Sequence, residues 1–179
     1  MKRVTKSLLN LIELTVIGTA VALLVFVFLA QPLKVTGNSM LPNFTSGEQL
    51  IAEKLTVKYN DIKRGDVVII NHPSKKGVLL IKRVVGLPGE EVMLLDGDVY
   101  INGTALIESY LPTDTFTKAY GKMLEGERYS LPDKTYLLLG DNRKGSTDSR
   151  EWGPIAKNNI VGKGLFVYAP INKVRFARR

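Results

Sequence analysis

The sequence predicts a mainly β protein, an antiparallel, barrel-like sheet domain preceded by one N-terminal transmembrane helix. Three observations predict it. A long apolar run lies close to the N-terminus, seven short stretches beyond it are rich in β-branched and aromatic residues, and Gly, Pro, Asp and Asn clusters separate those stretches.

The N-terminal segment "MKRVTKSLLNLIELTVIGTAVALLVFVFLAQP" places Lys2, Arg3 and Lys6 ahead of an uncharged run from Leu14 to Ala30. That run makes roughly 26 Å of helix at ~1.5 Å per residue, and starting at Leu8 brings it to roughly 35 Å, enough to span a bilayer. Glu13 then falls near the interface on the lysine-rich side, where a charge is tolerable. A cleaved secretory signal has a shorter apolar core and a small-x-small site, whereas "FLAQP" offers Phe28 and Pro32. The expectation is a cytoplasmic N-terminus over residues 1–7, a signal-anchor helix over 8–30 and an extracytoplasmic domain over 31–179, oriented by the basic flank.

The exported part reads as strands at "QLIAEKL", "DVVII", "VLLIKRVV", "EVMLL", "DVYING", "TYLLLG" and "IVGKGLFVYAP". Within it, "EVMLLDGDVYING" predicts a hairpin folded at Asp96-Gly97 and turned again at Asn102-Gly103. Residues 112–131 show no clear period and are expected to form a surface excursion, part of an insertion at about 88–135.

Composition removes several functions. The chain has 179 residues and no cysteine, which excludes thiol catalysis, disulfides and the common zinc-finger spacings. No P-loop, HExxH or dinucleotide fingerprint is present, so neither metal nor cofactor is expected. The net charge is +8, but the cations are scattered singly or in pairs without interleaved aromatics, which argues for proximity to anionic lipid over nucleic-acid binding. The single histidine, His72 in "NHPSKKG", sits in a turn-rich loop and reads as a solvated loop residue rather than as the base of a Ser-His-Asp triad.

Ser39 lies in "GNSMLPN", and a serine hydroxyl is inert near neutral pH unless a base takes its proton. Lys82 is a candidate. In "VLLIKRVV" the period of two places Leu80, Lys82 and Val84 on one face and Leu79, Ile81, Arg83 and Val85 on the other. A lysine buried among apolar neighbours loses affinity for its proton and becomes a competent base. On strand pattern alone, the simpler reading is an edge lysine pointing to solvent. The loop "LLLGDNRKGSTDSREWG", residues 137–153, carries more hydrogen-bonding groups than a short turn needs, although an Asx-organised loop with solvated charges fits it in isolation.

Taken together and in order, the N-terminal anchor, "GNSMLP", "RGDVVII", "IKRVVGLPGE" and "GDNRKGSTDSREWG" resemble the type I signal peptidases of peptidase family S26, in their bacterial, single-anchor form. The resemblance implies a membrane-bound Ser/Lys endopeptidase in which Ser39 attacks the scissile carbonyl and Lys82 is the general base. Ser146 would orient the lysine, Asp148 would pair with Arg150, and Asp141 with Arg83. It also implies that the signal peptide of an exported pre-protein binds extended along Leu33 to Gly37 and Leu79 to Lys82. Leu33, Val35, Gly37, Met40, Leu80 and Ile81 would contact it. Two positions depart from the family pattern. Asn43 stands where a threonine is common, and Gly37 stands where some members carry a serine that assists the oxyanion, so oxyanion stabilisation is expected from backbone N–H groups, chiefly that of Ser39. A non-enzymatic, membrane-anchored β-module of the cell envelope would share the anchor and the sheet. A self-cleaving Ser/Lys regulator would share the dyad but carry a DNA-binding helical domain.

Overall fold

The computed structural model describes residues 2–59 and 62–177. Its first element is a 28-residue helix, α1, Lys2–Leu29. The stretch Lys6–Leu24 has a mean hydropathy of 1.9 and none of its residues is buried against the rest of the chain. By length and composition it is able to cross a membrane. Its threonines are satisfied internally: Thr15 Oγ1 donates to Leu11 O (2.7 Å) and Thr19 Oγ1 to Thr15 O (2.8 Å), so neither hydroxyl needs water. The helix begins earlier than residue 8 and stops at Leu29. Ala30, expected as its last residue, is instead the first residue of strand β1, Ala30–Lys34.

Eleven further strands follow, with bounds β2 Gln49–Glu53, β3 Val67–Asn71, β4 Leu79–Gly86, β5 Glu91–Leu95, β6 Asp98–Ile101, β7 Thr104–Ala105, β8 Arg128–Ser130, β9 Thr135–Leu139, β10 Ile155–Ala156, β11 Ile160–Ala169 and β12 Arg175–Phe176. Two short helices, α2 Leu55–Tyr59 and α3 Ser149–Trp152, interrupt them. The larger sheet has the order β1-β2-β11-β3-β4-β9-β10, with β12 also on β11, and every pairing is antiparallel. The smaller sheet, β7-β6-β5-β8, is built from residues between β4 and β9. Both expected turns of its meander are present. Asp96 and Gly97 have φ of 52° and 88°, Asn102 and Gly103 have 50° and 80°, the left-handed pairs that match the twist of two-residue hairpins.

Sequence and burial agree strand by strand. β2 alternates buried and half-buried residues, as expected of a sheet with one covered face. β4 is buried on both faces from Ile81 onward, because the sheet curls around two cores. Val35, Met40, Phe44, Leu50, Val67, Ile69 and Ile81 fill the first. Val68, Ile70, Val84, Tyr136, Leu138 and Ile160 fill the second. A third core, Val92, Leu94, Val99, Leu137 and Leu139 among it, joins the smaller sheet to β9. β1 escaped the strand pattern because it carries Pro32, but proline is tolerated on an edge strand, and β1 pairs only with β2.

Candidate active site

Ser39 lies in the turn that joins β1 to β2. Two buried apolar side chains pin this turn to the first core, Met40 and Phe44, 1% and 2% exposed, and Gly37 opens it with φ of 85°, a conformation that favours glycine. Ser39 is half-buried and borders a cleft of about 150 Å³ lined by residues of β1, β2, β3 and β4, including Leu33, Val35, Leu80 and Ile81. Of the expected substrate-contacting residues, those four line the cleft. Met40 does not, because it is spent on the core beneath the turn, and Gly37 stays exposed outside the cleft lining.

Lys82 stands opposite Val68 in the β3–β4 pairing and is 2% exposed. It is not a solvent-facing edge lysine. Its Nζ donates to Ser146 Oγ at 3.1 Å. Burial is the largest influence on it and, set against the Asp148 carboxylate and helped by Arg150, pulls its pKa down to about 8. Gly140 shows how closely the pieces meet. A Cβ on it would come within 2.2 Å of Ser146 Oγ and 2.5 Å of Ser39 O, so the turn carrying Ser39 and the serine that holds Lys82 converge on a point that only glycine leaves open.

The two expected ion pairs form and are almost fully buried. Arg83 leaves β4 on the face opposite Lys82 and donates from Nε and Nη2 to the two oxygens of Asp141 at 2.8 and 2.6 Å, and from Nη1 to Gly65 O at 2.8 Å. Arg150 grips Asp148 in the same two-pronged way at 2.8 Å each. Asp148 also caps α3 and accepts from Gly140 N at 3.1 Å, which ties the start of the loop to its end. Asn43 proves to be a connector. Its Nδ2 donates to Asp141 Oδ2 (2.8 Å) and to Tyr110 O (2.7 Å), coupling the turn carrying Ser39 to the arginine-held carboxylate.

Several partners were missed in the sequence. Asn142 clamps the turn carrying Ser39, its backbone N–H donating to Ser39 O and its Nδ2 to Asn38 O, both at 3.0 Å. Arg143 is 4% exposed and reaches Glu108 at 2.8 and 2.5 Å, Thr117, and Gly140 O at 3.1 Å. Tyr120 donates its hydroxyl to Ser146 O at 3.0 Å while its ring lies under the Arg150 guanidinium, 4.8 Å away. Asn142 and Arg143 stand inside the loop that composition singled out. Thr117 and Tyr120 come from the stretch read as an excursion and Glu108 from the insertion around it, where no period marks a contact 26 to 35 residues away. His72 lies in the β3–β4 hairpin, where its Nδ1 accepts from Ser74 N and Lys75 N at 3.0 and 3.1 Å and its ring packs, tilted by 51°, against Trp152. It organises a turn. Among the described residues no group of His, Asp and Glu is placed to hold a metal.

Chemically, the arrangement offers a half-buried hydroxyl beside a cleft, a buried amine whose pKa lies near neutrality, and a second hydroxyl that fixes that amine. The Ser39 N–H donates no backbone hydrogen bond among the described residues.

Comparisons with known proteins show the family to which the chain belongs. Residues 8–169 match the model of the family described as signal peptidase, peptidase S26. The chain is 39% identical to signal peptidase I of Bacillus licheniformis, over 94% of this chain and 92% of that one. It is 38% identical to signal peptidase I T of Bacillus subtilis strain 168, over 97% and 92%. Among solved structures, a signal peptidase I from Enterococcus faecalis V583 is 28% identical with a TM-score of 0.47, covering 57% of this chain and 95% of that chain.

Proposed function

The chain belongs to the signal peptidase family, peptidase S26, and on that premise we propose that it is a membrane-bound serine endopeptidase whose Ser39 and Lys82 form the dyad that removes signal peptides from exported pre-proteins. The observation that carries the assignment is the buried Lys82 amine, held by Ser146 and with its pKa pulled down to about 8. At pH 7 such a lysine is neutral about one time in ten, against about one in three thousand for a lysine at its ordinary value. Burial therefore raises the supply of base by a factor of a few hundred. A binding module gains nothing from that cost.

In the proposed reaction the Ser39 Oγ bonds to the scissile carbonyl carbon as its proton passes to the neutral Lys82 Nζ. The resulting ammonium gives that proton to the departing amine as the peptide bond breaks, leaving an acyl-serine. A water then attacks the ester carbonyl, again losing its proton to Lys82, and the Ser39 oxygen leaves and regains a proton. The Ser39 N–H, free of backbone partners, is the donor available to the oxyanion. Ser146 would fix the rotamer of Lys82, and Asp148, Arg150, Asp141 and Arg83 would keep the loop from moving under it.

The substrate would enter as a strand. β4 pairs with β9 only from Arg83 onward, so Leu79–Lys82 keep one hydrogen-bonding edge open, and β1 has an open edge facing the same cleft. An extended peptide laid between them would add a strand. With Val35, Leu33, Leu80 and Ile81 closing a space of about 150 Å³, small side chains would fit at the first and third positions before the cut. The anchor would hold this site at the outer face of the cytoplasmic membrane, with Lys2, Arg3 and Lys6 left inside.

The test is direct. Ser39→Ala should remove all detectable processing of a pre-secretory protein while the variant stays folded and membrane-inserted, and mass-mapping should put the wild-type cut after a small residue. Undiminished cleavage by the alanine variant would contradict the dyad.

A further inference from the structure

The structure assigns a second contact with the bilayer, made by the tip of the β3–β4 hairpin, which we propose docks on anionic lipid headgroups through Lys75 and Lys76, with Lys54 beside it. This inference rests on the anchored reading of α1. Three observations carry it.

The first is the absence of a linker. Helix α1 ends at Leu29 and the sheet begins at Ala30, so the start of β1 sits where the anchor leaves the membrane. The second is direction. From β1 to β4 the sheet makes four antiparallel steps, through β2, β11 and β3, so β1 and β4 run the same way. They meet across the cleft, where Leu33–Thr36 and Val78–Ile81 are its two walls. Going back along both strands leads on one side to Ala30 and on the other to Gly77, Lys76 and Lys75. The hairpin tip therefore comes to the anchor's end of the cleft. Lys54 reaches the same place by another route, since it follows Glu53, the residue paired with Ala30.

The third observation is charge. Lys54, Lys75 and Lys76 are exposed, and none takes part in an ion pair among the described residues. Exposed cations within a Debye length of an anionic surface are drawn to it. The hairpin is also built to hold its shape. His72 Nδ1 accepts from the backbone N–H groups of Ser74 and Lys75, and its ring packs on Trp152, so the two lysines are presented on a braced turn. Docking there would fix the tilt of the cleft against the bilayer at the end where a membrane-held signal peptide enters.

The chain has no cysteine, so one fluorophore can be placed at will on the full-length protein. Ser74→Cys reports the hairpin and Ser46→Cys, exposed at the opposite end of β1, serves as the distant control. Each labelled protein is reconstituted into vesicles carrying headgroup-nitroxide lipid, either neutral phosphatidylcholine or phosphatidylcholine with a third phosphatidylglycerol. Flotation first shows whether the chain is inserted. The expected result is strong quenching at position 74 in anionic vesicles, weak quenching at 46, and loss of the difference in 0.5 M salt. Reversing Lys54, Lys75 and Lys76 to Glu should weaken the docked population by about fivefold or more for each lysine, with cleavage of a soluble peptide in detergent unchanged. A chain that floats but shows equal quenching at 74 and 46, or quenching indifferent to lipid charge and to the substitutions, overturns the docking surface and leaves the anchor standing. A chain that does not float overturns the anchor and the docking surface together.

Discussion

The buried Lys82 amine carries a stability cost that pH reveals, separate from the role in chemistry proposed for it. Its folded pKa lies below the unfolded value, at about 8 against 10.5, so the native state resists the charged form. Below pH 8 both states carry the proton and the native state bears the full cost; between 8 and 10.5 the cost fades as the unfolded chain alone stays charged. Lys82→Met, which keeps the apolar stem and removes the amine, should therefore stabilise the protein near pH 7 relative to its effect at pH 11, by up to about 3 kcal/mol. Denaturant titrations at the two pH values would measure it, and a pH-independent difference would mean that the amine is not desolvated. Ser146→Ala should act differently, lowering kcat about a hundredfold with little change in KM and less than about 1.5 kcal/mol of stability, since it removes one hydrogen bond that aims the base. At this scale the sequence was readable where strand parity applied. The opposite faces of Lys82 and Arg83 follow from alternation alone. The clamp by Asn142 and the brace by Glu108 did not follow, because a hydrogen bond between two loops 35 or more residues apart leaves no periodic trace.

The loop from Gly140 to Gly153 is held at both ends by buried charge pairs, and its stability should fail before its chemistry is tested. Asp148 serves Arg150, Gly140 N and the cap of α3 at once. Asp148→Asn would leave a fully buried guanidinium without its counter-charge, a loss of about 3–5 kcal/mol, and for a chain of this size that is a fall in Tm of about 10 °C. Asp141→Asn should cost a similar amount and in addition weaken one of the two hydrogen bonds of Asn43, loosening the turn that carries Ser39. Calorimetry on the two variants would check this, and wild-type melting in both would show that the pairs are dispensable. Among the elements, the strands were legible because their apolar residues alternate, and the two hairpin turns because Asp-Gly and Asn-Gly favour left-handed backbone. β1 does not read as a strand from its pattern, since Pro32 removes an N–H and only its edge position makes that harmless. The end of α1 is hidden for a related reason: Ala30 suits a helix by propensity, and its pairing with Glu53 overrides that.

At the scale of the whole chain, what the sequence does not state is the curl of the sheet. It comes from twist accumulated over successive strands and from register shifts in β11 and β4, and it is what sets the open edge of β4 against β1. That geometry puts a cleft beside the strand that follows α1 directly. Removing residues 1–29 should leave a domain that still cuts peptides, but cleavage of a membrane-inserted pre-protein should fall about a hundredfold or more, because the anchor supplies effective concentration and no catalytic group. Equal rates on both substrates would separate the anchor from function. The pH dependence of kcat/KM shows whether a buried neutral lysine activates Ser39. The wild-type profile should rise through a pKa near 8, far below an ordinary lysine, and level off above it, and Lys82→Arg should be inactive at every pH because a guanidinium does not deprotonate in this range. A profile with no rising limb, or an active arginine variant, would contradict it.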